Sequence, residues 1–505
     1  MKRLFFKFMT LMLGLLVTGC SRTPADEATA VNYQPQFEAF SMGIQDCVPI
    51  RQDGNRFDEF ADNPFVKVSE QPTSTFSVDA DGASYGIMRR YLNYDLAIVP
   101  ASVRIEEFLN YFTFNYAAPN SDDAIAINAE VGPCPWNPQH QLLRLGLKGK
   151  ELKESEIPRA NFVFLVDVSG SMQGKDRLDL LKSGLKELLF QLNPDDRISL
   201  ITYSGKVEKL LESTPVSEAG RIKEAIDRLS ANGSTAGGEA LKMAYEEALA
   251  NYDPKCNNRI ILGTDGDFNV GVTSTEALVE MVEGYAKKGI YLSCLGFGMG
   301  NLNDGMMEKI SNSGNGAYHY IDCEDEMMKV FVTERERFVS VANDTKCQIT
   351  FDKDIVDSYR LIGYENRVMN NEDFADDEKG AGEIGAGQTI TALYEVALNE
   401  AALGQGIQPF VTFDCRYKRS LGDESLPLQV KLTTEHIFNK NERSGEFYFA
   451  AGIAAYGMIL RDSPFKGDAT IDMAKQLVNQ SLTFDPGNHR QELLQLMDKY
   501  VKMKE

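Results

Sequence analysis

The chain has 505 residues, too many for one hydrophobic core, so several domains are implied. Its 43% hydrophobic and 25% charged residues are a globular composition and exclude a disordered chain. A net charge of −22 excludes nucleic acid and anionic lipid as partners held by the overall field, and by itself needs no explanation beyond solubility.

Residues 1–20 read as a secretory leader. Lys2, Arg3 and Lys7 are basic, and Phe8 to Leu16 form an apolar run too short to span a bilayer. Val17-Thr18-Gly19-Cys20 resembles the bacterial lipobox. That resemblance implies that Cys20 carries lipid and becomes the mature N-terminus, with the protein anchored in the bacterial cell envelope, at the outer membrane, rather than spanning it. A plain secretory leader that happens to contain a cysteine is the alternative. Residues 21–62 lack periodicity and read as a tether, although Phe37, Phe40, Phe57 and Phe60 are many aromatics for a linker.

Residues 63–157 read as a unit of their own. Ser74–Asp79 alternates as a strand, and Ala83–Tyr94 and Val103–Phe112 have helical spacing. Asp79, Asp81 and Ser84 form a loose oxygen cluster before the first helix, where an N-cap is the expected role. Ala124–Val131 and Gln141–Leu147 read as strands around the proline-rich loop Gly132–Pro138, whose Trp136 is expected to pack on a sheet.

In residues 158–337 strands and helices alternate, which implies a mainly parallel sheet wound on both faces. Expected strands are Asn161–Val166, Arg197–Tyr203, Arg259–Thr264, Tyr291–Phe297 and Ala317–Ile321, with an edge strand near Val207–Leu211. Asp167-Val-Ser169-Gly-Ser171 follows the first of these, so one carboxylate and two hydroxyls fall at the carboxyl edge of the sheet, where open α/β folds bind ligands. Thr235 lies in the loop Asn232–Gly238, and Asp265 ends the strand Arg259–Thr264.

The pattern Asp-x-Ser-x-Ser, then Thr, then Asp, on these elements, resembles the von Willebrand factor type A (VWA) family. The resemblance implies that Asp167, Ser169, Ser171, Thr235 and Asp265 hold a divalent metal. Oxygen donors of this kind suit Mg2+ first, with Mn2+ or Ca2+ as alternatives. The family uses this metal to capture an Asp or Glu of a protein ligand. Asp267 departs from a purely adhesive site, since added charge strengthens cation binding and weakens capture of an acid.

Residues 338–505 read as strands, then helices. Expected strands are Lys346–Phe351, Tyr359–Tyr364, Thr389–Val396, Gln408–Tyr417 and Leu428–Thr433. Phe447–Arg461, Thr470–Leu482 and Gln491–Met503 are the expected helices. The loop Asp373–Gly387 is acidic, then glycine-rich, and open to calcium without requiring it. The strings from Asn63 to Phe112 and from Tyr359 to Arg367 resemble the accessory regions of a family of bacterial VWA lipoproteins. Strand-rich sequence on both sides of a self-contained α/β unit suggests one β-sandwich with the VWA module inserted.

With Cys20 set aside, Cys47, Cys134, Cys256, Cys294, Cys323, Cys347 and Cys415 remain, an odd number without metal spacing. Cys294 reads as core. Pairing among the others is left open. No His-Glu-x-x-His, Gly-x-Ser-x-Gly or Walker pattern occurs, and the four histidines are scattered, with His319 read as a strand residue. The expected fold is thus α/β, a doubly wound VWA sheet flanked by a β-sandwich-like region and helices. The expected function is metal-dependent protein binding, not catalysis. The alternative is an envelope scaffold with a structural metal that binds through the accessory regions.

Overall fold

The structure is a computed structural model. It describes residues 54–505 except 121, 234–236, 267–274, 400–405 and 439–441. The leader and its Cys20, Cys47, Thr235 and Asp267 therefore lie outside the described residues.

The chain opens with β1 (Val66–Lys67), β2 (Thr73–Ser77), α1 (Ala83–Asn93) and α2 (Ile105–Asn110), then the hairpin β3 (Ile125–Pro133) and β4 (His140–Gly149). The α/β module follows as β5 (Ala160–Asp167), α3 (Leu178–Gln191), β6 (Arg197–Tyr203), β7 (Val207–Pro215), α4 (Ala219–Arg228), α5 (Gly237–Ala250), β8 (Asn257–Thr264), α6 (Thr275–Ala286), β9 (Ile290–Phe297), α7 (Asp304–Ser313), β10 (Tyr318–Ile321) and α8 (Glu324–Met328). Seven strands come next: β11 (Ser340–Phe351), β12 (Val356–Ile362), β13 (Val368–Met369), β14 (Ile384–Gly385), β15 (Thr389–Leu398), β16 (Pro409–Lys418) and β17 (Leu426–Thr433). Helices α9 (Thr434–Phe438), α10 (Gly445–Leu460), α11 (Ile471–Asn479) and α12 (His489–Lys504) end the chain.

The module is a six-stranded sheet in the order β10-β9-β8-β5-β6-β7, parallel except at the edge strand β7. β5 reads as an unbroken apolar run because both of its faces are covered. Phe162 and Phe164 face α3, α4 and α8, while Val163 and Leu165 face α5, α6 and α7. This is the expected doubly wound α/β fold. The order reverses at β5, which places the ends of β5 and β8 at a topological switch point.

Strands from before and after the module pair with each other. β15 lies antiparallel between β12 and β4, giving a sheet β1-β12-β15-β4-β3. β11 lies between β2 and β16 in a second sheet, β13-β2-β11-β16-β17. The inner faces share one core, with Leu143, Leu145, Tyr394 and Val396 against Phe76, Ile349, Phe413 and Tyr417. Residues 63–157 contribute β1 to β4 to both sheets, and the α/β module is inserted between β4 and β11.

The outer face of the first sheet carries the alternate residues Leu142, Leu393 and Ile362, which pack on α1, α2, α10, α11 and α12. α10 is apolar all round and buried almost throughout, as a central helix must be. Gly457 lets it approach Ile105, which a Cβ at that position would meet at 3.0 Å. α2 is shorter than the expected Val103–Phe112, because the chain beyond it runs extended along the sheet, with the Phe114 N–H donating to Thr389 Oγ1 at 3.1 Å. Trp136 is buried as expected and donates from Nε1 to Glu395 at 3.0 Å. Cys294 is core in β9, and His319 lies in β10.

The segment read as the end of the tether packs on the module. Phe57 is partly buried against it, and Arg56 forms a bridge with Asn303. Among the described residues no helix is long and apolar enough to cross a membrane.

Candidate metal centre

Asp167 is the last residue of β5 and is fully buried. Its Oδ1 accepts the Ser169 N–H at 2.8 Å, and its Oδ2 accepts the Thr264 hydroxyl at 3.0 Å. These two bonds fix the carboxylate between the ends of β5 and β8. The Ser169 and Ser171 hydroxyls lie 2.8 Å apart. Asp265, directly after β8, is also fully buried, and its Oδ2 accepts Asn301 Nδ2 at 3.2 Å. Gly266 follows at φ +94°, and a Cβ there would sit 2.5 Å from Leu302 Cα, so the turn closes tightly on the loop after β9.

Four of the five expected ligands are thus placed at the switch point. Thr235 is outside the described residues, but its loop is joined to the site through neighbours. The Asn232 N–H donates to the Val168 carbonyl at 2.7 Å, and the Gly170 N–H to the Gly233 carbonyl at 3.1 Å.

Burial pushes the Asp167 carboxyl up to about 6, against the hydrogen bonds from Ser169 and Thr264, and the nearby Asp265 adds to the rise. The leading influences on Asp167 include no basic side chain. Two buried acids with hydroxyls beside them form a donor set that a hard divalent cation suits.

A shell outside the expected ligands holds the loops. Arg177 donates to the Ser171 and Met299 carbonyls, each at 2.7 Å. Asp176 accepts Arg90 of α1 at 2.5 Å. Asn55 Oδ1 accepts the Gly300 and Leu302 N–H groups at 2.9 and 3.1 Å, flanking the residue that bonds Asp265. Sequence reasoning missed Asn55 and Asn301, since neither belongs to a local pattern.

A second group of acids lies deeper. Asp79, Glu107 of α2 and Glu308 of α7 are buried, and one oxygen of each lies within 4.8 Å of the others. This donor set is able to coordinate a divalent cation. Basic groups already touch it. Arg104 clamps Asp304 at 2.5 and 3.1 Å and bonds Glu107, and Arg367 reaches Asp79 at 3.1 Å. Burial raises Glu107 to about 8 and Glu308 to about 7, with Arg104 opposing both.

The expected N-cap role before α1 is not seen. The N-cap residue is Gly82, without a side-chain bond, and the Ser84 N–H donates to Glu107 at 2.7 Å. Asp79 instead accepts the Asp81 N–H at 2.9 Å, and Asp81 accepts the Tyr318 N–H at 2.6 Å. Of the expected cluster of Asp79, Asp81 and Ser84, only Asp79 joins the acidic group. In the loop Asp373–Gly387, Asp377 pairs with Arg416 at 2.9 Å and Glu383 with Arg259 at 3.0 Å, so these acids have basic partners.

Three family models match the chain. "von Willebrand factor" covers residues 51–144, "von Willebrand factor type A domain" covers 162–267, and "Uncharacterized protein YfbK, C-terminal" covers 336–503. The Escherichia coli K12 protein "Uncharacterized protein YfbK" is 37% identical over 466 residues, 88% of this chain and 80% of that protein. "Uncharacterized protein sll0103" of Synechocystis is 30% identical over 201 residues, 40% of this chain and 46% of its own. Among solved structures, a von Willebrand factor type A protein from Catenulispora acidiphila aligns over 76% of this chain and 91% of its own, at 16% identity and a TM-score of 0.45.

Proposed function

This chain belongs to the bacterial VWA-domain family of Escherichia coli YfbK, and we propose that it is a lipid-anchored envelope protein that captures an acidic protein ligand through a divalent cation. The VWA architecture is one of protein–protein and metal-mediated interaction rather than catalysis. The observation that carries the reading is the pair of buried carboxylates, Asp167 and Asp265, beside the Ser169 and Ser171 hydroxyls at the switch point.

Asp167, Ser169, Ser171, Thr235 and Asp265 are the residues that would hold the cation, with Mg2+ the first choice. When bound it supplies a position that an Asp or Glu of another molecule can take in place of water. The chain's own groups do the rest. Asp167 is held by Ser169 and Thr264, Asp265 by Asn301, and the serine loop by Arg177. Anchorage through Cys20 keeps the site at a membrane surface, and Cys20→Ala is expected to move the protein to the soluble fraction.

A second reading keeps the metal structural. The buried Asp79, Glu107 and Glu308 favour it, since an ion there would be held among side chains shielded from solvent. The sandwich and terminal helices would then make the contacts. Immobilised peptides with a free Glu or Asp side chain, beside their Gln and Asn counterparts, separate the two. Capture of the acidic peptides in Mg2+, absent in EDTA and in a folded Asp167→Ala variant, supports the first reading. Capture that survives both treatments supports the second.

A further inference from the structure

Cys347 and Cys415 face each other across the central pair of strands in the second sandwich sheet. They are direct partners in the antiparallel register of β11 and β16. Direct partners in such a ladder have Cα atoms about 4.5–5.5 Å apart, inside the span a disulfide bridges. Both side chains point into the core between the sheets, and both are fully buried. Both are free thiols in this structure, and burial first, then the neighbouring Cys415 thiol, raises the Cys347 thiol well above its ordinary value. Phe76 of β2 lies opposite Cys347 on the other side, and Leu428 of β17 opposite Cys415, so each cysteine sits on an interior strand. Cys134, Cys256, Cys294 and Cys323 have no cysteine opposite them in the registers of the described strands.

We propose that Cys347 and Cys415 are a disulfide pair, formed while the sandwich is still open and then sealed in its core. The Cys347 thiolate attacks the disulfide of a thiol–disulfide oxidant, forming a mixed disulfide and releasing one oxidant thiolate. The Cys415 thiolate then attacks the Cys347 sulfur. The Cys347–Cys415 bond forms, and the second oxidant thiolate leaves. The two protons given up by the cysteines, and two electrons, end on the oxidant, which departs with both of its sulfurs as thiols. Neither sulfur reaches solvent once the two sheets close, so the exchange precedes closure and the finished bond is shielded from reductants afterwards. The bond joins strands far apart in sequence and constrains the unfolded chain through a long loop.

In the cell the oxidant comes from the envelope location proposed above, so pairing and location are tested separately. The reduced, denatured full chain is refolded in a glutathione redox mixture and digested without reduction. A peptide joining Cys347 to Cys415 as the main disulfide product is expected. The folded, oxidised protein should also melt about 2–4 °C above its reduced form, a difference absent from the double variant C347A/C415A. Full alkylation of both cysteines after unfolding without reductant, or equal melting of the two wild-type forms, overturns the pairing. Protein recovered from cells is then mapped in the same way. A linked peptide there agrees with both proposals. Free thiols there, beside a linked peptide after refolding, leave the pairing standing and contradict the envelope location.

Discussion

Glu106 shows how much charge the interior tolerates. It is buried, one of its oxygens lacks a hydrogen-bond partner, and Glu365 and Asp79 lie near it. Burial first, then Glu365 and Asp79, push its carboxyl from 4.5 to about 7. Between those values the native state holds a proton that the unfolded chain has released. Stability therefore falls as pH rises from 4.5 through 7, and the loss is complete above that. Glu106→Gln is expected to match the wild type near pH 5 and to exceed it near pH 8.5 by up to about 3 kcal/mol. Urea unfolding at the two pH values measures this, and a variant that keeps the wild-type pH profile would contradict it. At this scale the sequence was most legible where the proposed ligands are close along the chain. Asp167, Ser169 and Ser171 span five residues on one loop, and Asp265 ends a plainly buried strand. Glu107 and Glu308 were not legible, because helices distant in sequence bring them together and each reads alone as an ordinary solvated acid.

Among the elements, the segment from Gly54 to Asp58 acts as a strap on the loop after β9. Asn55 holds the Gly300 and Leu302 amides, the Arg56 N–H donates to the Leu302 carbonyl at 2.8 Å, and Lys309 pairs with Asp58 at 2.6 Å. The held loop carries Asn301 to Asp265. Asn55→Ala frees both amides and loosens that placement, so divalent affinity should weaken several-fold, by about 1 kcal/mol, in a protein that stays folded. Calorimetry beside circular dichroism checks it, and unchanged affinity would show that the strap does not position Asp265. Period and apolar runs were enough to place β5, β6, β8, β9 and most of the helices, since each buries a face that its own sequence displays. In the strap only Phe57 is legible, as an aromatic unusual for a linker that packs on the module, while the grip of Asn55 and the backbone groups on the loop follows no local pattern.

Across the whole molecule, the inserted module is fastened to its surroundings by buried ion pairs. Arg104 of the N-terminal segment clamps Asp304 of α7, and Arg259 of β8 meets Glu383 of a sandwich loop. Arg89 joins Asp322, Glu326 and Glu492, and so ties α1 to the module's end and to α12. Removing one partner strands the other charge in the interior. Arg104→Leu is expected to cost about 3–5 kcal/mol and to speed amide exchange in α7 before it affects β15. Uniform exchange throughout the chain, or no loss of stability, would count against the clamp. An inserted module was readable from strand-rich sequence on both sides of an α/β unit. Which strands pair was not, because β4 meets β15 and β2 meets β11 only across the whole module, where no local pattern reaches.

The divalent site at the switch point is open to titration calorimetry of Mg2+ into the full chain, wild type beside Asp167→Ala at neutral pH. Saturable binding in the wild type that the substitution removes, in a variant with unchanged circular dichroism, is the expected outcome. Binding that persists in Asp167→Ala would place the cation elsewhere, with Asp79, Glu107 and Glu308 the next site to mutate, and would contradict a divalent site at the switch point.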